Sequence, residues 1–294
     1  MHSYEEYKEY INTNLLDYLP ETSSEASLLR ESMEYSLKVG GKRIRPVLLM
    51  AACDFAGGYL HEALPYACAL EYIHTYSLIH DDLPCMDNDD MRRGQPTNHK
   101  VYGDDIATLA GDGLLNSAAE LMYSKLLAAE PQDMSKHALA GYEIMKRSGV
   151  NGMIGGQVAD VINENKIGTA ELVSYIEEHK TGDLITAAVL AGLHIAGADD
   201  TVKADFENYA MNLGIAFQVL DDILDFEGDA ELMGKTLGKD VDQEKCNYVC
   251  VHGLESARDQ LNVLTDAAIN SIDKYGKDAE FFREFAIRLK NRNK

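Results

Sequence analysis

Cationic side chains are in short supply: 27 Lys and Arg stand against 49 Asp and Glu, leaving a formal charge of −22 on 294 residues. That balance excludes a general nucleic-acid-binding or anionic-membrane surface, so a polyanionic ligand would need local basic pockets. The five cysteines, Cys53, Cys68, Cys85, Cys246 and Cys250, are odd in number and contain no CxxC pair. Neither a disulfide framework nor a zinc site is indicated, and a reducing cytoplasm is the expected compartment. Met1 to Tyr10 is acidic and tyrosine-rich and lacks the basic and apolar regions of a secretory signal. The most apolar window, Leu184 to Ala198, is interrupted by His194 and falls short of the roughly 18 to 20 apolar residues that cross a bilayer. It reads as a buried core helix, and no stable membrane association is expected.

Proline is also scarce, at six residues, and glycine punctuates rather than clusters. Apolar residues recur at three- and four-residue spacing, which predicts an all-α protein. Helices are expected over Tyr4 to Leu19, Glu25 to Val39, Ile44 to Ala56, Leu64 to Asp82, Asp104 to Ala129 and Lys136 to Ser148. Further helices are expected over Asn151 to Asn163, Thr169 to Ala196, Thr201 to Phe226, Glu255 to Tyr275 and Glu280 to Asn291. Breaks fall at Pro20, Gly40-Gly41, Gly57-Gly58, Pro84 to His99 and Gly228 to Tyr248. No linker or repeat divides the chain, so residues 1–294 are expected to form one large helical-bundle domain with a deep central cavity.

Two acidic clusters carry the first chemical signal. Asp221, Asp222 and Asp225 form DDxxD, and on a helix Asp225 lies about 40° and Asp222 about 100° around from Asp221. Gln218 falls on the same arc, and the rest of the segment Gly214 to Phe226 is apolar. Crowded carboxylates resist joint ionisation unless cations favour the charged forms, and hard oxygen donors point to magnesium. An acidic solvent face is the alternative. In the earlier cluster, Asp81, Asp82 and Asp87 form DDxxxxD, and Pro84 should end the helix near Asp82. A loop after that break can return Asp87 to a metal shared with Asp81. His74 precedes Asp81 by seven residues on the same face, with a satisfied core histidine as the alternative. Asp87 to Asp90 is not a calcium loop, because Met91 and Arg92 stand where that loop needs Asp or Asn and Gly.

The basic elements are local. Lys42, Arg43 and Arg45 open a helix with Pro46 in its first turn. Cations there oppose the helix dipole, a conflict that a bound diphosphate would remove, although a solvated basic turn also fits. Arg92 and Arg93 follow the first acidic cluster, with surface pairing to Asp89 or Asp90 as the bland option. Lys180-Thr181-Gly182 interrupts a long helix and predicts a kink that is either functional or harmless. Lys235 and Lys239 follow the second cluster, as phosphate contacts or as solvated lysines.

Together, Gly40 to Pro46, Ile73 to Gly94, Gly155-Gly156-Gln157, Lys180-Thr181 and Phe217 to Asp225 resemble the trans-isoprenyl diphosphate synthases, the polyprenyl synthetase family, and within it the bacterial-type farnesyl diphosphate synthases. The resemblance implies the isoprenoid synthase-like helical fold and a homodimer. It also implies magnesium, three ions with diphosphate bound. It matches Asp81, Asp82, Asp87, Asp221, Asp222 and Asp225 to metal binding, and Lys42, Arg45, His74 and Arg93 to the isopentenyl diphosphate site. Arg92, Lys180 and Lys235 match contacts to the allylic diphosphate, while Thr181 and Gln218 match groups that stabilise the cation. Gly155 and Gly156 are expected to allow close packing, with Gln157 supporting the site.

The implied reaction ionises the allylic diphosphate, adds isopentenyl diphosphate to the cation and loses a proton to the departed diphosphate. Farnesyl diphosphate is the expected product and geranylgeranyl diphosphate the runner-up. A terpene cyclase or a non-catalytic synthase subunit follows. Tyr76, five residues before Asp81, matches an aromatic floor to the chain pocket. Its spacing, about 140° around the helix from Asp81, does not show this. Cys246-Asn247 departs from the Thr or Ser that relatives often carry before the Tyr at 248. Arg292 to Lys294 is expected to be a frayed polar end, with a basic tail closing over substrate as the family-based alternative.

Overall fold

The structure, a computed structural model, describes residues 1–163, 166, 168–233 and 247–292, with only the backbone over 228–233. Almost every element is a helix, and the chain divides into two compact units. The first comprises Met1–Met145 and Leu190–Ala198, and the second Lys146–Val189 and Asp199–Lys294.

In the first unit, helices α1 (Tyr4–Asn14), α2 (Ser27–Lys38) and α3 (Ile44–Phe55) lead to α4 (Leu60–Asp81). A two-stranded hairpin follows, β1 (Met91–Arg92) and β2 (Gln95–Pro96), then α5 (Asn98–Tyr102), α6 (Asp104–Ala128) and most of α7 (Met134–Ser148). Ser3 opens α1 with a capping box: its hydroxyl accepts the Glu6 N–H, and the Glu6 carboxylate accepts the Ser3 N–H. α4 packs most extensively on α6 and also on α3. Its run from Ala63 to Ile73 is buried on all sides, with Glu71 the one charged residue in it. Tyr72 donates to the Leu15 carbonyl at 2.5 Å, so its polar tip is satisfied inside the core. α4 starts at Leu60, one turn before the expected Leu64, and accommodates Pro65 just after its first turn.

In the second unit α8 (Met153–Ile162) and α9 (Ala170–Ile176) run into one π-helical turn (Glu177–Gly182), followed by α10 (Asp183–Ala196), whose last residues belong to the first unit. The apolar run after Leu184 is buried, as the sequence predicts for a core helix. Then come α11 (Asp200–Met233), α12 (Tyr248–His252), α13 (Leu254–Ile272) and α14 (Glu280–Lys290), with α11 packed along α13. The break expected over Gly228 to Tyr248 starts later than Gly228, because α11 runs on to Met233, and residues 234–246 lie outside the described residues. A single glycine is tolerated in a helix whose flanking residues are helix formers. Among the described residues, no helix is long and apolar enough to cross a membrane.

Candidate functional site

The first acidic segment forms where α4 ends. Pro84 stops the helix as expected, and the chain turns back so that the Asp87 N–H bonds the Asp81 carbonyl at 2.8 Å and the Asn88 N–H bonds Leu83 at 3.1 Å. Asp81 is half-buried and Asp87 exposed, while Asp82 is buried. Both Asp82 carboxylate oxygens are taken by Arg92, whose Nε lies 2.8 and 2.9 Å and Nη2 2.6 Å away. The β1–β2 hairpin, with Arg92 opposite Gln95, presents this arginine as a two-pronged fork. Burial works against the charge on Arg92, yet the bonds to Asp82 outweigh it and its pKa rises. Arg92 pairs with Asp82, its pairing with Asp89 being long at 4.0 Å.

The basic segment does not present three equivalent cations. Lys42 is exposed and Arg45 half-buried, but Arg43 is turned into the core. His74, on α4, is held neutral well below its usual pKa, first by desolvation and then by Arg45, Arg93, Arg92 and Arg43. All four arginines act on this one histidine through their charge. Burial likewise lowers the pKa of Arg93, whose guanidinium donates to the Gly40 carbonyl. The predicted Lys42, Arg45, His74, Arg93 and Arg92 thus gather in one unit with the first acidic segment.

The second unit gathers another set. The expected kink at Lys180-Thr181-Gly182 is a π turn, a feature that frequently marks functional sites. Gly156 permits it: a Cβ there would lie 2.3 Å from the Lys180 nitrogen, so α8 approaches the turn backbone to backbone. On the other side a Cβ at Gly214 of α11 would lie 2.6 Å from the Gly182 Cα. The Thr181 hydroxyl donates to Gln218 Oε1 (2.8 Å), and Gln218 Nε2 donates to Asp222 Oδ1 (2.9 Å). The Tyr248 N–H donates to Asp222 Oδ2 (2.9 Å), and Lys180 pairs with Asp160 (2.5 Å). Burial pushes the Asp222 carboxyl up to about 6, with Asp225 and Asp221 adding to the effect of burial. Asp221 is half-buried and Asp225 exposed.

Four participants escaped the sequence reading. Asp160, three residues after Gln157, had a signal in its helical spacing. Glu177 had none: it is buried, its Oε1 has no hydrogen-bond partner, and burial beside Asp222 pushes its carboxyl up to about 8. The Tyr248 amide is a backbone contact that no side-chain pattern reveals. At Arg292 the expected frayed end is corrected, because its guanidinium pairs with Asp221 and sits 4.9 Å from the Phe217 ring centre, while Asn293 and Lys294 lie outside the described residues. Lys235, Lys239 and Cys246 lie outside the described residues.

The acidic segments suit a hard divalent cation. Their donors are carboxylate oxygens, and a guanidinium already rests on Asp221 as a positive stand-in. Magnesium is such a cation: it takes one or two protein carboxylates and completes its shell with water and phosphate.

Paired aspartates in units that also carry arginine, lysine and a neutral histidine suit an enzyme class that handles a diphosphate with divalent cations. Comparison with known proteins agrees, as the polyprenyl synthetase family model matches residues 26–282. A geranylgeranyl diphosphate synthase of Cyanophora paradoxa is 42% identical over 98% of this chain and 95% of its own length. A farnesyl diphosphate synthase of Geobacillus stearothermophilus is 43% identical over 90% of this chain and 88% of its own. The crystal structure of an FPP/GFPP synthase from Zymomonas mobilis superposes with a TM-score of 0.86 and 31% identity, covering 98% of this chain and 97% of that one. The chain belongs to the polyprenyl synthetase family and is a prenyltransferase.

Proposed function

We propose that this prenyltransferase joins isopentenyl diphosphate head-to-tail to dimethylallyl or geranyl diphosphate, giving farnesyl diphosphate and releasing pyrophosphate. The observation that carries the reading is the assembly of Asp81, Asp82, Asp87, Arg92, Arg93, Lys42, Arg45 and His74 within one unit of a chain whose family transfers prenyl groups. Asp81, Asp82, Asp87, Asp221, Asp222 and Asp225 would hold magnesium, three ions with the substrate bound, and that metal supplies Lewis-acid stabilisation of charge on the leaving diphosphate. Arg92, Lys180 and Lys235 bind the allylic diphosphate and favour its departure by preorganised charge. Lys42, Arg45, His74 and Arg93 bind isopentenyl diphosphate and orient its double bond. A neutral His74 serves that role as a hydrogen-bond donor.

Thr181 and Gln218 stabilise the allylic cation through their oxygen atoms, and water that would trap that cation has to be kept out. Tyr76 closes the pocket for the growing chain. Geranylgeranyl diphosphate synthesis is the second reading, favoured by the 42% identity to an enzyme of that name against 43% for a farnesyl synthase. Incubating purified protein with magnesium, isopentenyl diphosphate and each allylic starter, then sizing the products, decides between them. A twenty-carbon main product rejects the farnesyl reading, and no condensation at all rejects both.

The matched residues 26–282 run through both compact units, which supports their working as one polyprenyl synthetase domain. We further propose a cytoplasmic homodimer. Leu109, Tyr123 and Leu127 of α6 and Leu139 and Tyr142 of α7 are exposed at between 44% and 80%, an apolar surface suited to a second copy. Sedimentation of the pure protein tests it, and a monomer at micromolar concentration rejects it.

A further inference from the structure

The structure assigns Glu71 and Arg43 a positioning role: their buried ion pair sets the turn that presents Lys42 and Arg45 to isopentenyl diphosphate. The inference rests on the reading of Lys42 and Arg45 as that substrate's cations.

Arg43 and Glu71 have side chains only 4% and 3% exposed, with Arg43 Nη1 2.5 Å from Glu71 Oε1. The guanidinium also donates through Nη2 to the Leu37 carbonyl at the end of α2 (2.7 Å) and through Nε to Asn12 of α1 (3.0 Å). One side chain therefore ties the loop to three helices. The backbone at Arg43 is left-handed, with φ 56° and ψ 33°, a conformation that an L-residue other than glycine rarely adopts. Nothing in arginine favours it, so the bonds at the end of the side chain hold it there.

This twist separates three neighbouring cations. Arg43 is turned inward and neutralised, while Lys42 stays exposed and Arg45 comes close enough to His74 to depress its pKa. Two further contacts reach the loop's backbone: the Tyr4 hydroxyl donates to the Lys42 carbonyl, and Arg93 donates to the Gly40 carbonyl. Gly41 leaves room for that arginine, since a Cβ there would fall 2.4 Å from its Nη1. Glu71 lies three residues before His74 on α4, one helical turn away on the same face. It thereby registers the loop cations against the helix that carries His74 and Asp81.

A buried ion pair is poor evidence for stability, because an apolar pair of similar volume often serves the fold as well. What an apolar pair cannot do is grip a left-handed turn from three directions. A double substitution therefore separates folding from positioning.

The test is steady-state kinetics for both substrates in Glu71→Gln, in the double variant Arg43→Met/Glu71→Leu and in Lys42→Ala. Both pair variants are expected to raise the KM for isopentenyl diphosphate by about 10- to 100-fold while the allylic KM stays within about twofold. The double variant is expected to keep its helical circular dichroism and melting temperature. Asn12→Ala, at an exposed residue, is expected to raise the isopentenyl KM by about two- to fivefold and keeps the test readable should a pair variant fail to fold. If Lys42→Ala raises the isopentenyl KM and folded pair variants do not, the positioning role is wrong. If Lys42→Ala leaves that KM at the wild-type value, the assignment of the substrate site beneath it fails instead.

Discussion

Arg292 and Asp221 are joined across 71 residues of sequence, the guanidinium resting on the first carboxylate of DDxxD and over the Phe217 ring. A cation held there by protein competes with a cation from solution. Arg292→Ala should therefore tighten the binding of divalent metal in the absence of diphosphate. The partly exposed geometry limits the gain to about two- to fivefold, the equivalent of an ion pair worth up to about 1 kcal/mol. Titration with manganese followed by electron paramagnetic resonance reads it directly. Unchanged or weaker binding would show that Arg292 does not compete for this carboxylate.

Arg92 and Asp82 make the opposite kind of pair, one in which the acid is buried. Arg92→Ala leaves the Asp82 carboxylate without its fork, and because Arg92 is itself 31% exposed the loss should be about 3 kcal/mol, the lower end for a broken buried pair. Arg92→Lys keeps the charge but not the two-pronged geometry and should fall between. Urea denaturation gives these numbers, and a second substitution, Asp82→Asn, should recover most of the loss. A stable Arg92→Ala protein would mean that water solvates Asp82 as well as arginine does.

Glu177 gives the metal-free protein a pH signature. Its folded carboxyl is raised to about 8, against the ordinary 4.5 of the unfolded chain. Between those values the folded protein keeps a proton that the unfolded chain has released, so stability is lost as pH rises through the window and levels off above it. Glu177→Gln removes that dependence. With chelator present, its melting temperature should match wild type near pH 5 and exceed it at pH 8.5 by at least about 3 °C, on the scale of 2–4 °C per kcal/mol for a chain of this size. Parallel melting curves across that range would refute the assignment.

Much of the skeleton was legible in sequence because its signals are local. Helical periodicity located the eleven long segments, Pro84 placed the end of α4, and Lys180-Thr181-Gly182 marked the π turn. The paired aspartates and the basic segment also announced themselves by spacing. What escaped depends on where a side chain is drawn by distant partners. Arg43 looks like Lys42 and Arg45 until Asn12, Leu37 and Glu71 fold around it. The hairpin at Met91 to Pro96 and the short helices α5 and α12 are too brief to show a period. Arg292 reads as a polar tail because Phe217 and Asp221, which hold it, lie 75 and 71 residues earlier.

Tyr76 is where the product-length proposal meets a physical measurement. Its ring is 6% exposed and stands edge-on to His80, with ring centres 5.8 Å apart. Its hydroxyl is buried with no hydrogen-bond partner, and burial raises its pKa to about 12. The phenol therefore contributes bulk rather than a polar anchor. Tyr76→Phe should leave the product unchanged and cost no stability, since it removes a buried polar group that has nothing to bond. Tyr76→Ala should lower stability by about 3–5 kcal/mol, as large-to-small aromatic changes do, and open room for five more carbons, shifting the main product from fifteen carbons to twenty. His80 is in turn wedged against α6, with Nε2 3.0 Å from the Thr108 carbonyl, so the neighbouring ring cannot simply move in to refill the space. Chromatography of dephosphorylated products from the three proteins separates the outcomes. Longer products from the phenylalanine variant would mean that the hydroxyl, not the ring, limits the chain. Fifteen-carbon product from the alanine variant would remove Tyr76 from the length mechanism altogether.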